Sequence, residues 1–297
     1  MPITSYLMDC QNRVNLALER HLPCQNTYPT ILHEAMAYSV LNGGKRIRAA
    51  FVYSVGELFQ GDELVLDGLA AAIEMIHAFS LIHDDLPALD NDDLRRGKPT
   101  CHKVYGEAVA ILAGDALHTL AFNRLANLAF EYNQLTAENG LKMIATLTQA
   151  IGSAGMVGGE VLDLLALQTP TTVRDLETIY RMKTGDLISA AVVLGALSST
   201  EDAEILNLLR EFGLLIGIAF QIHDDIIGIE SSTETLGKCQ GKDLERHKPI
   251  YPVITSLDDA KKAERHFYDQ ALACLAKIPV NTGKVKGIAD FILRRHH

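Results

Sequence analysis

The sequence predicts an all-α protein folded as one domain over residues 1–297, on three observations. Apolar residues recur with the helical period of about 3.6 along most of the chain, and no stretch sustains the alternation of a strand. The nine prolines stand as punctuation, none between Pro99 and Pro170 and none between Pro170 and Pro249, which leaves both gaps open to long helices. At 48% hydrophobic over 297 residues, the chain can bury a substantial core.

Helices are expected at 3–21, 30–41, 45–59, 63–85, 106–130, 136–167, 172–198, 202–229, 258–277 and 284–294. Thr172 with Asp175 and Ser256 with Asp259 have capping-box spacing, Asp standing for the usual Glu or Gln. Asn42-Gly43-Gly44 should end the second helix and let backbone approach a ligand closely. Lys45 and Arg48, on one side of the next helix's start, would join its N–H groups and dipole in an anion site. Within Lys183-Thr184-Gly185, an interior Gly costs about 1 kcal/mol relative to Ala. Either the helix kinks there, freeing the Thr184 carbonyl and aiming it with Lys183 into a cavity, or Gly185 serves close helix packing. The segments 86–105 and 230–249 are too long to be mere connectors and each follows an aspartate pair.

Ile82-His83-Asp84-Asp85, at the end of one apolar run, recurs as Ile222-His223-Asp224-Asp225 at the end of another. On a continuous helix turning about 100° per residue, Asp84 and Asp90 would point to different sides. Pro87 disfavours helical geometry at Leu86, so the helix should end near Asp85 and the loop curl back to set Asp90 beside Asp84. Hard carboxylate oxygens suit Mg²⁺, which shares its coordination among water, one or two carboxylates and substrate phosphates. Arg95, Arg96 and Lys98 follow closely, either as ion pairs or as the grip on a phosphate that Mg²⁺ bridges to the acids. Gln221, one turn before Asp224 on nearly the same face, needs a partner that a ligand could supply. His77, two turns deeper than Asp84, could line the same cavity, whereas His83 and His223 are expected to pack or hydrogen-bond structurally.

The formal net charge of −10 argues against broad nucleic-acid binding, so an anionic substrate would depend on local cations. Cys10, Cys24, Cys101, Cys239 and Cys274 are scattered without a CxxC spacing, which argues against a disulfide framework or zinc site and fits a reducing cytosol. The N-terminus lacks a signal-peptide pattern, and no uninterrupted apolar run approaches the roughly 20 residues that span a bilayer. A soluble cytoplasmic protein without membrane insertion is expected.

GGKRIR at 43–48, IHDDLPALDNDDLRRGKPTCHKVYGEAVAILAGDAL at 82–117, KTGDLISA at 183–190, FQIHDDIIG at 220–228 and GKDLERHKPIYP at 241–252 occur in that order. Together, over nearly the whole chain, they resemble the trans-isoprenyl diphosphate synthases, most of all the bacterial farnesyl diphosphate synthases. The resemblance implies an isoprenoid synthase-type helical bundle, a homodimer with a deep prenyl cavity per subunit. It also implies Mg²⁺, three per active site, joining both aspartate motifs to an allylic diphosphate. By motif match, Asp84, Asp90 and Asp224 would be metal ligands, supported by Asp85 and Asp225. Arg95, Lys183, Lys238 and Lys248 would hold the allylic diphosphate, and Gly44, Lys45, Arg48, His77 and Arg96 isopentenyl diphosphate. The Thr184 carbonyl and the Gln221 side-chain oxygen would stabilise the allylic cation. The implied reaction is head-to-tail condensation of isopentenyl diphosphate with dimethylallyl and geranyl diphosphate, giving (2E,6E)-farnesyl diphosphate and pyrophosphate.

Product length is expected to depend on Phe79 and Ser80. A prenyl tail growing down the helix from Asp84 passes Ser80 about 6 Å below and Phe79 about 7.5 Å below. Ser80 is too small to block it, and the resemblance links an aromatic at the Phe79 position with a C15 product. The chain departs from the family pattern at Gly228, where the second motif usually ends in Asp, at Asn91 within the acidic run, and at Glu160, where Gln is frequent. Alternative readings are a geranylgeranyl or geranyl diphosphate synthase, a terpene cyclase, or a catalytically weak subunit of a heteromeric synthase.

Overall fold

A computed structural model describes residues 2–230 and 249–294. The chain forms α1 (Ile3–His21), α2 (Thr30–Val40), α3 (Ile47–Leu58) and α4 (Glu63–Asp84), then a hairpin of β1 (Leu94–Arg95) and β2 (Lys98–Pro99). It continues with α5 (Cys101–Tyr105), α6 (Glu107–Glu131), α7 (Ala137–Ile151), α8 (Met156–Ala166) and α9 (Val173–Tyr180). A π-helical turn, Arg181–Gly185, leads into α10 (Asp186–Leu197), followed by α11 (Ala203–Glu230), α12 (Tyr251–Ile254), α13 (Leu257–Leu275) and α14 (Gly283–Leu293). The all-α expectation holds, with four refinements.

The helix expected over 136–167 is two helices, broken at Gly152 and Gly155. A Cβ on Gly155 would stand 2.2 Å from the Ala150 carbonyl oxygen, so the tight turn there requires glycine. The helix expected from 45 begins at Ile47, because Arg46 takes a left-handed conformation (φ 51) and ends the helical run. Lys45 therefore precedes the helix and only Arg48 sits in its first turn. The 86–105 loop carries the short helix α5 and the hairpin, whose turn residues Arg96 and Gly97 both have positive φ (54 and 76). The interruption expected at Lys183-Thr184-Gly185 is the π turn.

The described residues fall into two compact units, Met1–Ile144 with Leu194–Thr200, and Ala145–Val193 with Glu201–His297. The first is organised around α4. Asp62 caps it, accepting from the N–H groups of Leu64 and Val65 at 2.9 and 3.2 Å. Leu66, Leu69, Ile73, Met75 and Ile76 of α4 are fully buried with Phe51 and Tyr53 of α3 and Leu117, Leu125 and Leu128 of α6. Two acids on α4 are buried, and both are paired. Asp67 accepts from Arg13 at 2.6 Å and from the Tyr53 hydroxyl at 3.1 Å, and Glu74 pairs with Arg46 at 2.9 Å and accepts from the Ala49 N–H at 3.2 Å. Charges taken out of water persist only when matched in this way.

The second unit packs α9, α11 and α12 around Leu176, Ile179, Tyr180, Ile218, Ile222, Ile226 and Tyr251. Thr172 and Asp175 form the expected reciprocal capping box at the start of α9. Ser256 accepts from the Asp259 N–H at 3.1 Å to cap α13. By length and composition α4 and α11 could each cross a membrane, more than the search for an uninterrupted apolar run anticipated. The apolar window of α4 is 78% buried inside the protein, as in a core helix, and that of α11 is 50% buried.

Candidate active site

In the first unit, α4 ends at Asp84 and the chain returns on itself. The N–H of Asp90 donates to the Asp84 carbonyl at 2.8 Å, that of Asn91 to Leu86 at 3.0 Å and that of Asp92 to Asp85 at 3.2 Å. This is the curl expected from Pro87. Asp84 and Asp90 are half-buried, while Asp85 is buried and engaged by the Arg95 guanidinium through Nε (2.8 and 2.9 Å) and Nη2 (2.5 Å). Burial pushes the Asp85 carboxyl up, against the downward pull of Arg95.

Arg96, strained into the left-handed region, lays its guanidinium on the Gly43–Gly44 turn and donates to the Gly43 carbonyl. A Cβ on Gly44 would lie 2.6 Å from the Arg96 Cζ, and Gly44 itself has φ 115, so only glycine fits there. Gln11 pins the turn through its Nε2, 2.7 Å from the Gly44 carbonyl oxygen. Behind it lies Arg48, whose Nε is buried without a hydrogen-bond partner and whose pKa is lowered chiefly by burial. Burial, then Arg48, Arg96, Arg46 and Arg95, hold His77 well below its ordinary value, so it is neutral at pH 7. Arginines that depress one another's neighbours, one with an orphaned donor, form a cradle that an anion would complete.

Phe79 meets the His83 ring edge-on at 4.9 Å and the His118 ring at 5.0 Å, and His118 in turn meets Phe122 at 5.1 Å. Ser80 donates to the His77 carbonyl on its own helix. His83 lies 3.1 Å from the Ile111 carbonyl, in the structural role expected of it.

In the second unit, the π turn lies against α8 on one side and α11 on the other. A Cβ on Gly159 would sit 2.5 Å from the Lys183 nitrogen, and one on Gly217 would sit 2.3 Å from the Gly185 Cα. The packing reading of Gly185 therefore applies, and the α-helical ladder gives way there to the π turn. The Thr184 hydroxyl donates to the Gln221 Oε1 at 2.8 Å, which brings together the two residues singled out for the allylic cation. Lys183 is engaged by Glu160 at 2.5 Å and Asp163 at 2.7 Å. Asp163 was not foreseen, although its i, i+3 relation to Glu160 on a helix was readable. Asp224 is half-buried on α11. Asp225 accepts from the Tyr180 hydroxyl and, at 2.9 Å, from the Tyr251 N–H, which ties α12 to α11. His223 is held structurally by Glu264 at 2.9 Å. Lys238 and Lys248 lie outside the described residues.

Among the described residues no three or more His, Cys, Asp or Glu side chains gather into a metal cage. Asp84 and Asp90 on one curl of backbone are a sparse set of hard oxygen donors. That set fits Mg²⁺, whose remaining coordination goes to water and phosphate, and does not fit zinc or iron.

The polyprenyl synthetase family profile matches residues 29–289. The farnesyl diphosphate synthase of Escherichia coli K12 is 45% identical over 303 aligned residues, covering all of both chains. A chloroplastic geranylgeranyl pyrophosphate synthase of Catharanthus roseus is 40% identical, over 98% of this chain and 81% of its own. Among solved structures, Helicobacter pylori geranyltransferase, complexed with magnesium and isoprenyl diphosphate, superposes with a TM-score of 0.84 at 31% identity, covering 99% of this chain and 97% of that one. An arginine cradle behind a curled aspartate motif is thus set in a fold and sequence shared along the full length with prenyl synthases, and the chain belongs to the polyprenyl synthetase family.

Proposed function

We propose that the chain condenses isopentenyl diphosphate head-to-tail with dimethylallyl and then geranyl diphosphate, giving (2E,6E)-farnesyl diphosphate and pyrophosphate. It is a prenyltransferase by family. The observation that carries the assignment is the arginine cradle around neutral His77, whose orphaned Arg48 Nε calls for a diphosphate oxygen. Arg48, Arg96, His77 and Lys45 hold isopentenyl diphosphate, with Gly44 allowing its close approach to backbone. Arg95, Lys183, Lys238 and Lys248 hold the allylic diphosphate.

Asp84 and Asp90 of the first motif, and Asp224 of the second, would hold Mg²⁺, three ions by the family resemblance, and the ions would supply charge neutralisation for a departing pyrophosphate. Asp85 holds Arg95, whose guanidinium would stabilise developing diphosphate charge. The Thr184 carbonyl, at the π turn, and the Gln221 Oε1 would offer partial negative charge to the allylic cation. The isopentenyl double bond attacks that cation, and proton loss to the released pyrophosphate completes the condensation. Phe79 closes the cavity at the C15 length.

The family profile spans most of the chain, which supports reading both units as one polyprenyl synthetase domain. Exposed Leu112 and Phe130, on one face of α6 by the helical repeat, support a homodimer. The bacterial relatives support a soluble enzyme of the cytoplasm. A C20 product is the second reading, favoured by the geranylgeranyl pyrophosphate synthases among the relatives. The purified chain, incubated with isopentenyl diphosphate and either dimethylallyl or geranyl diphosphate, should yield farnesol after dephosphorylation. A C20 alcohol as main product would replace the first reading with the second, and no product without isopentenyl diphosphate separates both from a terpene cyclase.

A further inference from the structure

We propose that Glu160 and Asp163 form a counter-ion brake on Lys183 that sets how tightly the second unit binds a diphosphate and how readily it lets pyrophosphate go. The inference rests on the reading of Lys183 as a diphosphate-binding cation. The Lys183 Nζ lies 2.5 Å from Glu160 Oε2 and 2.7 Å from Asp163 Oδ2, and the three side chains are 26%, 18% and 8% exposed in that order. Close backbone approach brings these side chains within reach of one another. Gly159, next to Glu160, presses α8 against the π turn so closely that a Cβ would stand 2.5 Å from the Lys183 nitrogen. Glu160 and Asp163, three apart on α8, then fall on the face toward Lys183.

Two carboxylates compete for one ammonium where shielding from water strengthens the pairing. A diphosphate that engages Lys183 must displace or share these carboxylates, so part of its binding energy is offset by the ion pairs it disturbs. The same competition operates after bond cleavage, when the carboxylates reclaim the ammonium as pyrophosphate leaves. Glu160 therefore weakens bound substrate and bound product together, which favours turnover wherever release limits the rate. Asp163, the more buried of the two, anchors the lysine, and Glu160 tunes it. Both are positioning residues that act through Lys183.

The test is calorimetric titration of the full chain with inorganic pyrophosphate in Mg²⁺, for wild type, Lys183→Ala, Glu160→Gln and Glu160→Asp, alongside KM and kcat for geranyl diphosphate. Glu160→Gln keeps size and hydrogen-bonding reach while removing the charge. It should bind pyrophosphate about 3- to 10-fold tighter, with KM falling in parallel and kcat not rising. Glu160→Asp, which restores the charge, should return affinity toward wild type. If Lys183→Ala weakens pyrophosphate binding while Glu160→Gln leaves it unchanged or weaker, the brake is overturned and the reading of Lys183 stands. If Lys183→Ala leaves binding unchanged, the reading of Lys183 fails and takes the brake with it.

Discussion

The N–H of Asp90 donates to the carbonyl of Asp84 at 2.8 Å, one hydrogen bond that makes neighbours on one curl of two aspartates that a continuous helix would point to different sides. Pro87 ends the helix, and the carbonyls of Asp84, Leu86 and Asp85 at and just past its end are taken up by the N–H groups of Asp90, Asn91 and Asp92. The two residues are thereby brought together by backbone.

Asp84→Ala and Asp224→Ala should each lower turnover by about 10²- to 10³-fold or more, since each removes a group that stabilises charge developing in the transition state. Neither side chain belongs to a hydrophobic core, so the unfolding temperature should stay within a few degrees of wild type. Activity within tenfold of wild type in either variant would remove that aspartate from the metal site.

Much of this was legible because single residues with strong backbone preferences decide it. Pro87 fixed the end of α4, Gly185 the interruption now seen as a π turn, and Thr172 with Asp175 the start of α9. The break between α7 and α8 was missed although Gly152 and Gly155 signalled it, because the apolar period continues across both glycines. The left-handed Arg46 could not be read at all, since its conformation is held by tertiary partners: the Glu74 carboxylate, Asn15 and the Val40 carbonyl. Ion pairs behaved likewise. The motif containing Lys183 implies a diphosphate-binding role by resemblance, but its partners Glu160 and Asp163 come from another helix.

Gly228→Asp should lower the Mg²⁺ concentration needed for half-maximal activity. A Cβ at 228 meets nothing within 4 Å, so the new side chain has room, and it would share a helix face with Asp224. Its carboxylate would add a hard oxygen ligand to a sparse set. An unchanged Mg²⁺ titration would show that the site does not extend to this turn of α11.

Asp186 should give stability a distinct pH dependence. Burial pushes its carboxyl up to about 6, with Arg181 at 3.7 Å pulling the other way. Because an unfolded Asp titrates near about 3.9, the native state binds more protons between the two values. The contribution of Asp186 is therefore full at pH values below the unfolded one and is lost as pH rises through about 6. Asp186→Asn should remove this decline. Its advantage over wild type should grow from acid to neutral pH to on the order of 1 kcal/mol, after allowance for solvent screening of a partly exposed group. Urea unfolding of both proteins across that range checks it, and parallel curves would show that the carboxyl titrates normally.

Phe79→Ala should lengthen the product. The ring stands on α4 below Asp84, and two rings brace it, His83 at 4.9 Å and His118 at 5.0 Å, so it is not free to swing aside for a growing chain. Ser80 offers no comparable barrier, its hydroxyl turned back to the His77 carbonyl. Truncation at Phe79 removes the obstacle and leaves the His118 and Phe122 rings of α6 as the next one, so C20 products should appear first. Phe79→Ala combined with His118→Ala should extend the series beyond them. Chromatography of the dephosphorylated products decides the matter. A C15 profile retained in both variants would show that another residue forms the floor, and a shift only in the double variant would move the limiting contact from Phe79 to His118.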